Sequence, residues 1–369
     1  MNQSHSTLYC MKHIMKKPQI TILGAGLSGL TTAYLLQKSG YPSTIYEARN
    51  RLGGRIHTLR KKGEAPVELG ATWFGNQHER LIELMQELGV ERAKQHIGDQ
   101  VFYEMNSMSP PQLVNLPPGS DDTYRLKNGT DSIINALAEK LDGVSMVKTG
   151  TAVKRISNSS DKITLSTSSG DAEADIVIST LPPELFLDTI SVEPALPQEF
   201  RKIASTTQTW MADSIKVGLT YSEPFWRGAG LSGTIMSNVG PITEMYDHSS
   251  FDTKRFALKG FMAGAYYSVS ADERRNAALQ QLRKFYGEEV MQPLSYVEKV
   301  WRQEPFTFSG YADSVIPHQN NGHDVFQKPY LDGKLWFAGA ETSAISPGYM
   351  DGAVNSARRM AEKIPAYFQ

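Results

Sequence analysis

The sequence predicts an α/β fold built on a parallel sheet, because a strand, a glycine-rich turn, a helix and a second strand open the chain. Ile20 to Leu23 form a short apolar run directly before "GAGLSG". Apolar residues then recur at helical spacing from Leu30 to Leu36, and "STIYEA" follows as the second strand. The later runs "ADIVIST" and "LWFA" have the apolar character of buried strands, so we expect them to complete one mainly parallel sheet.

The composition limits the classes of protein and partner. The chain has 369 residues, of which 40% are apolar and 21% charged, and its formal net charge is -1. These values are typical of a globular protein of one large domain or two intertwined domains. Because acidic and basic residues are balanced along the chain, we expect neither a nucleic-acid surface nor a polybasic membrane anchor. A small molecule is therefore the expected partner.

Cysteine usage and the first residues favour a cytoplasmic protein. Cys10 is the only cysteine, which excludes an internal disulfide and any CxxC site. Residues 1–17 lack an apolar core of signal-peptide length, so we expect an irregular leader. Neither HExxH nor GxSxG occurs and the histidines are scattered, so hydrolase chemistry is not favoured and no metal site is expected.

The glycine-rich turn predicts a dinucleotide site. Gly24, Gly26 and Gly29 have GxGxxG spacing, which allows a tight turn, a close approach to a pyrophosphate and close packing of helix on strand. Glu47, at the end of the second strand, is the expected acceptor for ribose hydroxyls. GxGxxG alone also occurs in ordinary turns, so the flanking strand, helix and acid decide the prediction. The assigned residues are Gly24, Ala25, Gly26, Leu27, Ser28, Gly29, Glu47, Ala48 and Arg49.

A second glycine turn favours FAD over a nicotinamide cofactor. Gly53, Gly54 and Arg55 follow the acidic strand directly. An FAD-binding protein holds its cofactor extended along the whole length and can use a second backbone turn. A nicotinamide dehydrogenase has no need of that second turn. Arg55 is expected to face the pyrophosphate or the flavin, and the alternative is a surface arginine on a strand.

The segments "GAGLSGL", "YEARNRLGGR" and "ELGATWFG" together resemble the flavin-containing amine oxidases, the family of the monoamine and polyamine oxidases. The resemblance implies a Rossmann-like FAD-binding domain of the glutathione-reductase type, formed by 18–75, 124–183 and 330–369. It implies an inserted α+β substrate-binding domain with a mixed sheet, formed by 76–123 and 184–329. It also assigns Gly70, Ala71, Thr72 and Trp73 to the cofactor site and places Val153 beside the adenine. Plain core packing is an equally simple role for one strand valine.

Lys216 lies in a strand pattern in which Ile215, Val217 and Leu219 form the apolar face and the lysine points to the other side. Periodicity alone favours a solvated lysine. Together with "EPFWR", however, the segment resembles the family segment whose lysine reaches a water beside flavin N5. The resemblance implies that a buried ammonium here favours negative charge on reduced oxygen and supports reoxidation by dioxygen.

The C-terminal third carries two further matches to the family. "VWRQEPFTFSGYADS" resembles the segment with a tryptophan and a tyrosine near the flavin, matched by Trp301 and Tyr311. The mammalian monoamine oxidases have a covalently bonded cysteine before that tyrosine, and Gly310 stands there instead, so non-covalent FAD is expected. In the second match, "AGAETSAISPGYMDGAV", the cofactor contacts implied by the resemblance are Gly339, Ala340, Glu341, Tyr349, Met350 and Ala353. A simple closing helix is the alternative for this last segment.

The resemblance implies oxidation of an amine to an imine with reduction of dioxygen to hydrogen peroxide. Tyr311 and Tyr349 would form two walls of an aromatic cage that directs the amine to the flavin. Family members that oxidise amino acids carry an arginine where this chain has Trp73, so a carboxylate-free primary or secondary amine, or a polyamine, is expected. Two alternatives stay open: a flavin dehydrogenase or desaturase with another acceptor, and an FAD-binding protein without turnover.

The segment between Trp73 and Tyr124 is shorter than in the mammalian oxidases, whose corresponding helices cover the substrate cavity. The site is therefore expected to be more open, or completed by the second subunit of a homodimer. Outside the motifs, helical spacing predicts helices over 76–89 and 130–141, and "SADE" predicts a capping box of Ser270 and Glu273. Residues 151–157 and 162–168 predict a hairpin, and the Pro- and Ser-rich segment 106–122 predicts a loop.

Overall fold

The computed structural model describes residues 17–116, 122–159, 161–310, 316 and 318–368. The helices, numbered in chain order, are α1 Leu27–Lys38, α2 Glu79–Glu87, α3 Asp131–Leu141, α4 Pro183–Thr189, α5 Gln198–Ala204, α6 Phe225–Gly228, α7 Ala271–Tyr286 and α8 Met350–Tyr367. The strands are β1 Ile20–Leu23, β2 Ser43–Tyr46, β3 Thr58–Leu59, β4 Val67–Glu68, β5 Phe74–Gly75, β6 Arg92–Lys94, β7 Gln100–Glu104, β8 Gln112–Asn115, β9 Thr123–Leu126, β10 Met146–Lys148, β11 Val153–Ser159, β12 Lys162–Thr167, β13 Gly170–Ala174, β14 Ile176–Ser179, β15 Ser191–Glu193, β16 Ile215–Tyr221, β17 Ile235–Ser237, β18 Ile242–Asp247, β19 Phe256–Met262, β20 Ser295–Val300 and β21 Leu335–Phe337.

A five-stranded parallel sheet confirms the predicted α/β fold. Its strand order is β10-β2-β1-β14-β21, and every neighbouring pair is parallel. All four residues of β1 and of β14 are buried, because helices and other elements cover the sheet. The carboxyl ends of the parallel strands meet at one edge, which is where an open α/β sheet binds its ligands. The two glycine turns that follow β1 and β2 lie at this edge.

A seven-stranded mixed sheet forms the second large unit, as the resemblance implied. Its order is β20-β16-β19-β18-β17-β7-β8, with β17 and β7 parallel and the other pairs antiparallel. Helix α7 packs its apolar side against one face, where Leu279 and Leu282 join Ile215, Val217 and Leu258 in one core. The predicted capping box of Ser270 and Glu273 is present at the start of α7.

Of two smaller features predicted from the sequence, one is confirmed and one is not. The predicted hairpin is the antiparallel pair β11 and β12, within the sheet β13-β12-β11-β15. The expectation of a continuous loop over 106–122 is wrong, because β8 pairs with the edge of β7 through residues 112–115. This edge strand pairs through backbone hydrogen bonds, and its Leu113 is 45% exposed. Because the strand buries no apolar face, the sequence has no hydrophobic alternation there that would have indicated a strand. Residues 117–121 lie outside the described residues.

The predicted domain limits stay a prediction, although the packing of α2 bears on them. Leu81, Leu84 and Met85 of this helix belong to the same hydrophobic core as Leu30 of α1, and α2 packs on α8. Helix α2 therefore lies against the unit that contains the glycine turns, not against the seven-stranded sheet. Among the described residues, every helix is too short or too polar to cross a membrane.

Candidate active site

The two glycine turns predicted from the sequence lie against each other. The amide of Gly53 donates to the carbonyl of Ala25 at 2.9 Å, and Gly26 forms a parallel bridge with Gly53. A Cβ on Gly29 would lie 2.0 Å from the carbonyl oxygen of Gly24, so only glycine allows α1 to begin this close to β1. The spacing in the sequence therefore has a direct geometric cause.

The N-terminus of α1 fits a phosphate group. Gly26 is the N-cap residue, no side chain caps the helix, and its first turn contains no acidic residue. A Cβ built on Gly26 would meet Gly53 and Gly54 at 3.9 Å, an ordinary van der Waals distance, so protein atoms do not crowd the start of the helix. Free N–H groups and the helix dipole favour an anion at such a place.

Glu47 joins the end of β2 to the glycine turn. Its carboxylate is buried and accepts hydrogen bonds from the amide of Ala25 at 2.8 Å and the amide of Arg49 at 2.9 Å. Each carboxylate oxygen keeps a further lone pair, which is what a ribose hydroxyl requires. Arg49 donates to Thr307 Oγ1 at 2.7 Å and forms an ion pair with Glu304 at 3.4 Å. Ala48, which lies between Glu47 and Arg49 in the chain, is half-buried.

Arg55 connects the second turn to the C-terminal motif. Its guanidinium forms a two-pronged ion pair with the fully buried carboxylate of Glu341, with one bond of 3.0 Å. The carbonyl of Arg55 accepts from the amide of Ala71 at 3.1 Å, which aligns 70–73 with the turn. Trp301 is buried and donates from Nε1 to the carbonyl of Leu69 at 2.8 Å. Arg55 is therefore not a simple surface arginine.

Helix α8 packs along α1 and contacts its first turn through Ser356. Ser356 of α8 bonds to Ser28 at 3.0 Å and accepts from the amide of Gly339 at 3.0 Å. Helix α8 begins at Met350 without a side-chain cap, and its acidic Asp351 instead accepts from the amide of Leu81 in α2 at 2.8 Å. Neither helix start thus has a side-chain cap, and Ala340 and Ala353 are buried.

Tyr349 is the N-cap residue of α8, and its ring lies among other aromatic rings. Trp210 is 4.7 Å away between ring centroids, His78 is 5.2 Å away, and His318 stacks at 5.8 Å. The second predicted cage residue, Tyr311, lies outside the described residues. The sequence did not indicate Trp210, His78 or His318, because each comes from a separate segment without a motif.

Lys216 is buried, which excludes the solvated-lysine interpretation. Its side chain lies on the face of β16 opposite the α7 core, and Nζ donates to the carbonyl of Gly70 at 2.9 Å. Nζ also lies 4.3 Å from the ring centroid of Phe261 and 5.8 Å from that of Trp73. Burial lowers the pKa of Lys216 to about 8, against smaller raising effects of Lys259, Glu68 and Glu244.

A second buried lysine, Lys259 on β19, was not identified from the sequence. It is 0% exposed, and its Nζ lies 3.5 Å from the centroid of Trp73 and 3.1 Å from Thr72 Oγ1. A lysine inside the apolar run "FALKGFM" is the signal that could have found it. Val153, by contrast, lies in a hydrophobic core with Leu23 and Tyr46, and its place beside an adenine stays a prediction.

A family model described as flavin containing amine oxidoreductase matches residues 27–109 and 106–365. The chain belongs to this family. It is a flavin-dependent oxidoreductase, and the second glycine turn and the first residues of α1 and α8 lie within the matched segments, whereas Gly24 and Gly26 directly precede residue 27, where the match begins.

Individual amine oxidases resemble the chain over nearly its whole length. A protein of Dictyostelium discoideum named as a flavin-containing monoamine oxidase A is 25% identical over 450 aligned residues, which cover 94% of this chain and 97% of the relative. The structure of a wild-type putrescine oxidase bound to putrescine matches with a TM-score of 0.81 at 22% identity, covering 95% and 99%. A cyclohexylamine oxidase from Brevibacterium oxydans matches with a TM-score of 0.81 at 19% identity, covering 96% and 100%. These structures are similar in fold.

The Dictyostelium protein contains segments that this amine oxidoreductase lacks. The alignment of 450 residues is longer than the chain of 369 residues, so part of it faces gaps in this chain. This agrees with the sequence-based expectation of a shortened region, whose position between Trp73 and Tyr124 stays a prediction.

Proposed function

We propose that this protein is an FAD-dependent oxidase that converts a carboxylate-free primary or secondary amine, or a polyamine, to an imine and reduces dioxygen to hydrogen peroxide. The observation that carries the proposal is the position of Lys216, whose buried Nζ bonds to Gly70 within the segment 70–73 that the sequence assigns to the cofactor. A cation in a dry site stabilises the negative charge that develops on dioxygen as it is reduced.

The residues of this chain supply binding and orientation. Bound FAD would accept a hydride equivalent from the carbon beside the amine nitrogen and pass the electrons to dioxygen. The uncapped start of α1 would hold the pyrophosphate, and Glu47 would accept from a ribose hydroxyl. The uncapped start of α8 at Met350 would stabilise the negative charge on the pyrimidine side of the flavin.

Non-covalent binding of FAD is supported by Gly310. This glycine stands where the mammalian monoamine oxidases have the cysteine that bonds to the flavin, and a Cβ built on it would meet no atom within 4 Å. The part of the chain that the structure describes contains no cysteine, since Cys10, the only cysteine of the sequence, lies outside it.

The substrate class is supported by Trp73. Its ring stands where amino-acid-oxidising members carry an arginine, and it packs against Tyr246 at 4.9 Å and Phe261 at 5.8 Å. Indole and phenyl rings suit an amine and give a carboxylate no partner. The similar structures include oxidases of putrescine and of cyclohexylamine, and neither of these amines carries a carboxylate.

A cytoplasmic homodimer is the assembly that we propose.

A panel of amines assayed for hydrogen peroxide tests the substrate class. Purified enzyme is incubated in air with aryl and alkyl amines, diamines and polyamines, and each is paired with the amino acid that carries the same side chain. Peroxide is expected with at least one amine and at a rate at least about tenfold lower with its carboxylated counterpart, because Trp73 offers the carboxylate no ionic partner. Faster oxidation of the amino acids would contradict the assignment.

Tyr349→Ala is expected to lower kcat/KM for the best amine by about 10- to 100-fold while FAD stays bound. The backbone of Tyr349 remains available as the N-cap of α8, whereas the ring that packs on Trp210 and His318 is lost. Activity and the FAD-to-protein ratio are measured on the same preparation, with the 37% exposed Tyr267→Ala as control. Loss of FAD together with activity would show a structural role instead.

A further inference from the structure

Lys216 and Lys259 place two amino groups in one buried pocket. They extend from neighbouring strands, with Lys259 opposite Gly218 in the register of β16 and β19. Both Nζ atoms lie over the same two rings: Lys216 is 5.8 Å and Lys259 3.5 Å from Trp73, and the distances to Phe261 are 4.3 Å and 4.9 Å. Each lysine also influences the pKa of the other.

The hydrogen bonds of the pair end on the cofactor segment. Lys216 donates to the carbonyl of Gly70 at 2.9 Å, and Lys259 bonds to Thr72 Oγ1 at 3.1 Å. Thr72 Oγ1 in turn donates to the same Gly70 carbonyl at 3.1 Å. The two amines are thus connected through one carbonyl and one hydroxyl next to Trp73. Lys259 lies behind this tryptophan and is 0% exposed, so it has no direct access to a substrate.

The charges around the pair do not compensate two ammonium groups. Within the described part of the chain, neither Nζ has a carboxylate oxygen within 4.0 Å. The carboxylate of Glu68 on β4 is buried and accepts hydrogen bonds from the amide of Thr130 and the hydroxyl of Thr58, and burial raises its pKa. Lys299, which faces Lys216 from β20, is paired with Glu304.

Two further titratable groups near the lysine pair lie on β18 or directly after it. Glu244 accepts from the hydroxyl of Tyr246 at 2.8 Å and forms no ion pair within 4.0 Å with either lysine. His248 is buried, and its pKa is lowered by burial and by the positive charges of Arg125, Lys259 and Lys216. Two unpaired ammonium groups in such a pocket would carry a large desolvation cost, whereas one proton shared by two amines satisfies every nitrogen.

We propose that Lys216 and Lys259 form a pair that holds a single proton, with Lys259 as the neutral positioning residue that accepts a hydrogen bond from the Lys216 ammonium. The function of this ammonium, stabilising charge on reduced oxygen, rests on the proposed oxidase activity. Lys259 keeps the proton on Lys216 by supplying an acceptor where no carboxylate is available. The ammonium, and with it the rate of reaction with dioxygen, is lost as the pH rises through the pKa of Lys216, which is lowered to about 8 by burial.

The pair is tested by a lysine titration that needs no turnover. The FAD-loaded protein is labelled with [6-13C]lysine, and the two buried Cε signals, assigned with Lys216→Met and Lys259→Met, are followed from about pH 5 to about pH 10.5. In wild type, Lys216 is expected to titrate near 8, and the pKa of Lys259 is expected to lie well below the ordinary lysine value and, as the proposal requires, below that of Lys216. Lys259→Met should lower the Lys216 midpoint by about 1 pH unit, and Lys216→Met should raise the Lys259 midpoint by at least as much.

Matched variants separate hydrogen bonding from packing. Lys259→Gln retains a neutral acceptor and should keep the Lys216 midpoint closer to wild type than Lys259→Met does, and the exposed Lys254→Met should change neither midpoint. Midpoints that do not respond to removal of the partner, or that both lie near the ordinary lysine value of about 10.4, would overturn the pair. Coupled titration without any amine oxidation would support the pair and reject only the oxidase activity.

Discussion

Lys216→Met is expected to slow the reaction of the reduced enzyme with dioxygen by about 100-fold, while reduction by amine slows by less than about tenfold. Methionine fills nearly the same buried volume between Phe261 and Trp73 but removes the cation that bonds to Gly70. The two half-reactions are measured separately in a stopped-flow instrument, by mixing the oxidised enzyme with amine without air and then the reduced enzyme with dissolved oxygen.

Lys254→Met is the matched control for this experiment. Its side chain is exposed in the connection between β18 and β19, so removal of one positive charge there should leave both half-reactions unchanged. Equal slowing of reduction and of reoxidation in Lys216→Met would contradict the role of the lysine in the oxygen reaction. It would indicate that the side chain supports the packing of 70–73 instead.

Gly26→Ala is expected to weaken FAD binding by a factor on the order of 100 or more, with little change in the thermal stability of the FAD-free protein. The new Cβ would meet protein atoms only at 3.9 Å, so the chain itself tolerates it. It would, however, occupy the space before α1 in which a pyrophosphate has to approach the backbone. FAD content is measured in the supernatant after acid precipitation, where non-covalent flavin is expected.

Two glycine variants calibrate this result. Gly228→Ala lies in α6, has no atom within 4 Å of the new Cβ, and should change neither FAD binding nor stability. Gly29→Ala would place its Cβ 2.0 Å from the Gly24 carbonyl and should impair folding together with FAD binding. If Gly26→Ala retained FAD at wild-type affinity, the pyrophosphate would not lie at this helix end.

The cofactor half of the site was predictable because its signals are local. Gly24, Gly26 and Gly29 are spaced by the geometry of one turn, and the strand, helix and Glu47 around them complete a pattern that lies within about thirty residues. The prediction of a parallel sheet follows from the same unit. The structure adds the contact of Gly26 with Gly53 between the two glycine turns, and the ion pair of Arg55 with Glu341, which joins segments far apart in the chain.

The substrate half was less predictable because its neighbours come together only in the folded chain. Alternation in β16 placed Lys216 opposite the apolar face, but it could not show that the segment 70–73 covers that face and buries the lysine. Lys259 stood in the sequence as one lysine in an apolar strand, and its meaning depends on the register that brings it beside Lys216. Trp210 approaches Tyr349 from a segment without any recognisable motif.

The oxidase activity itself is tested most directly by following the flavin absorbance during one anaerobic reduction and one exposure to air. We expect a suitable amine to bleach the visible band of the FAD-loaded enzyme without oxygen, and air to restore the colour with about one hydrogen peroxide formed per flavin. Colour that fails to return in air would identify a dehydrogenase with another acceptor. Absence of bleaching with every amine of the panel would contradict the proposed function.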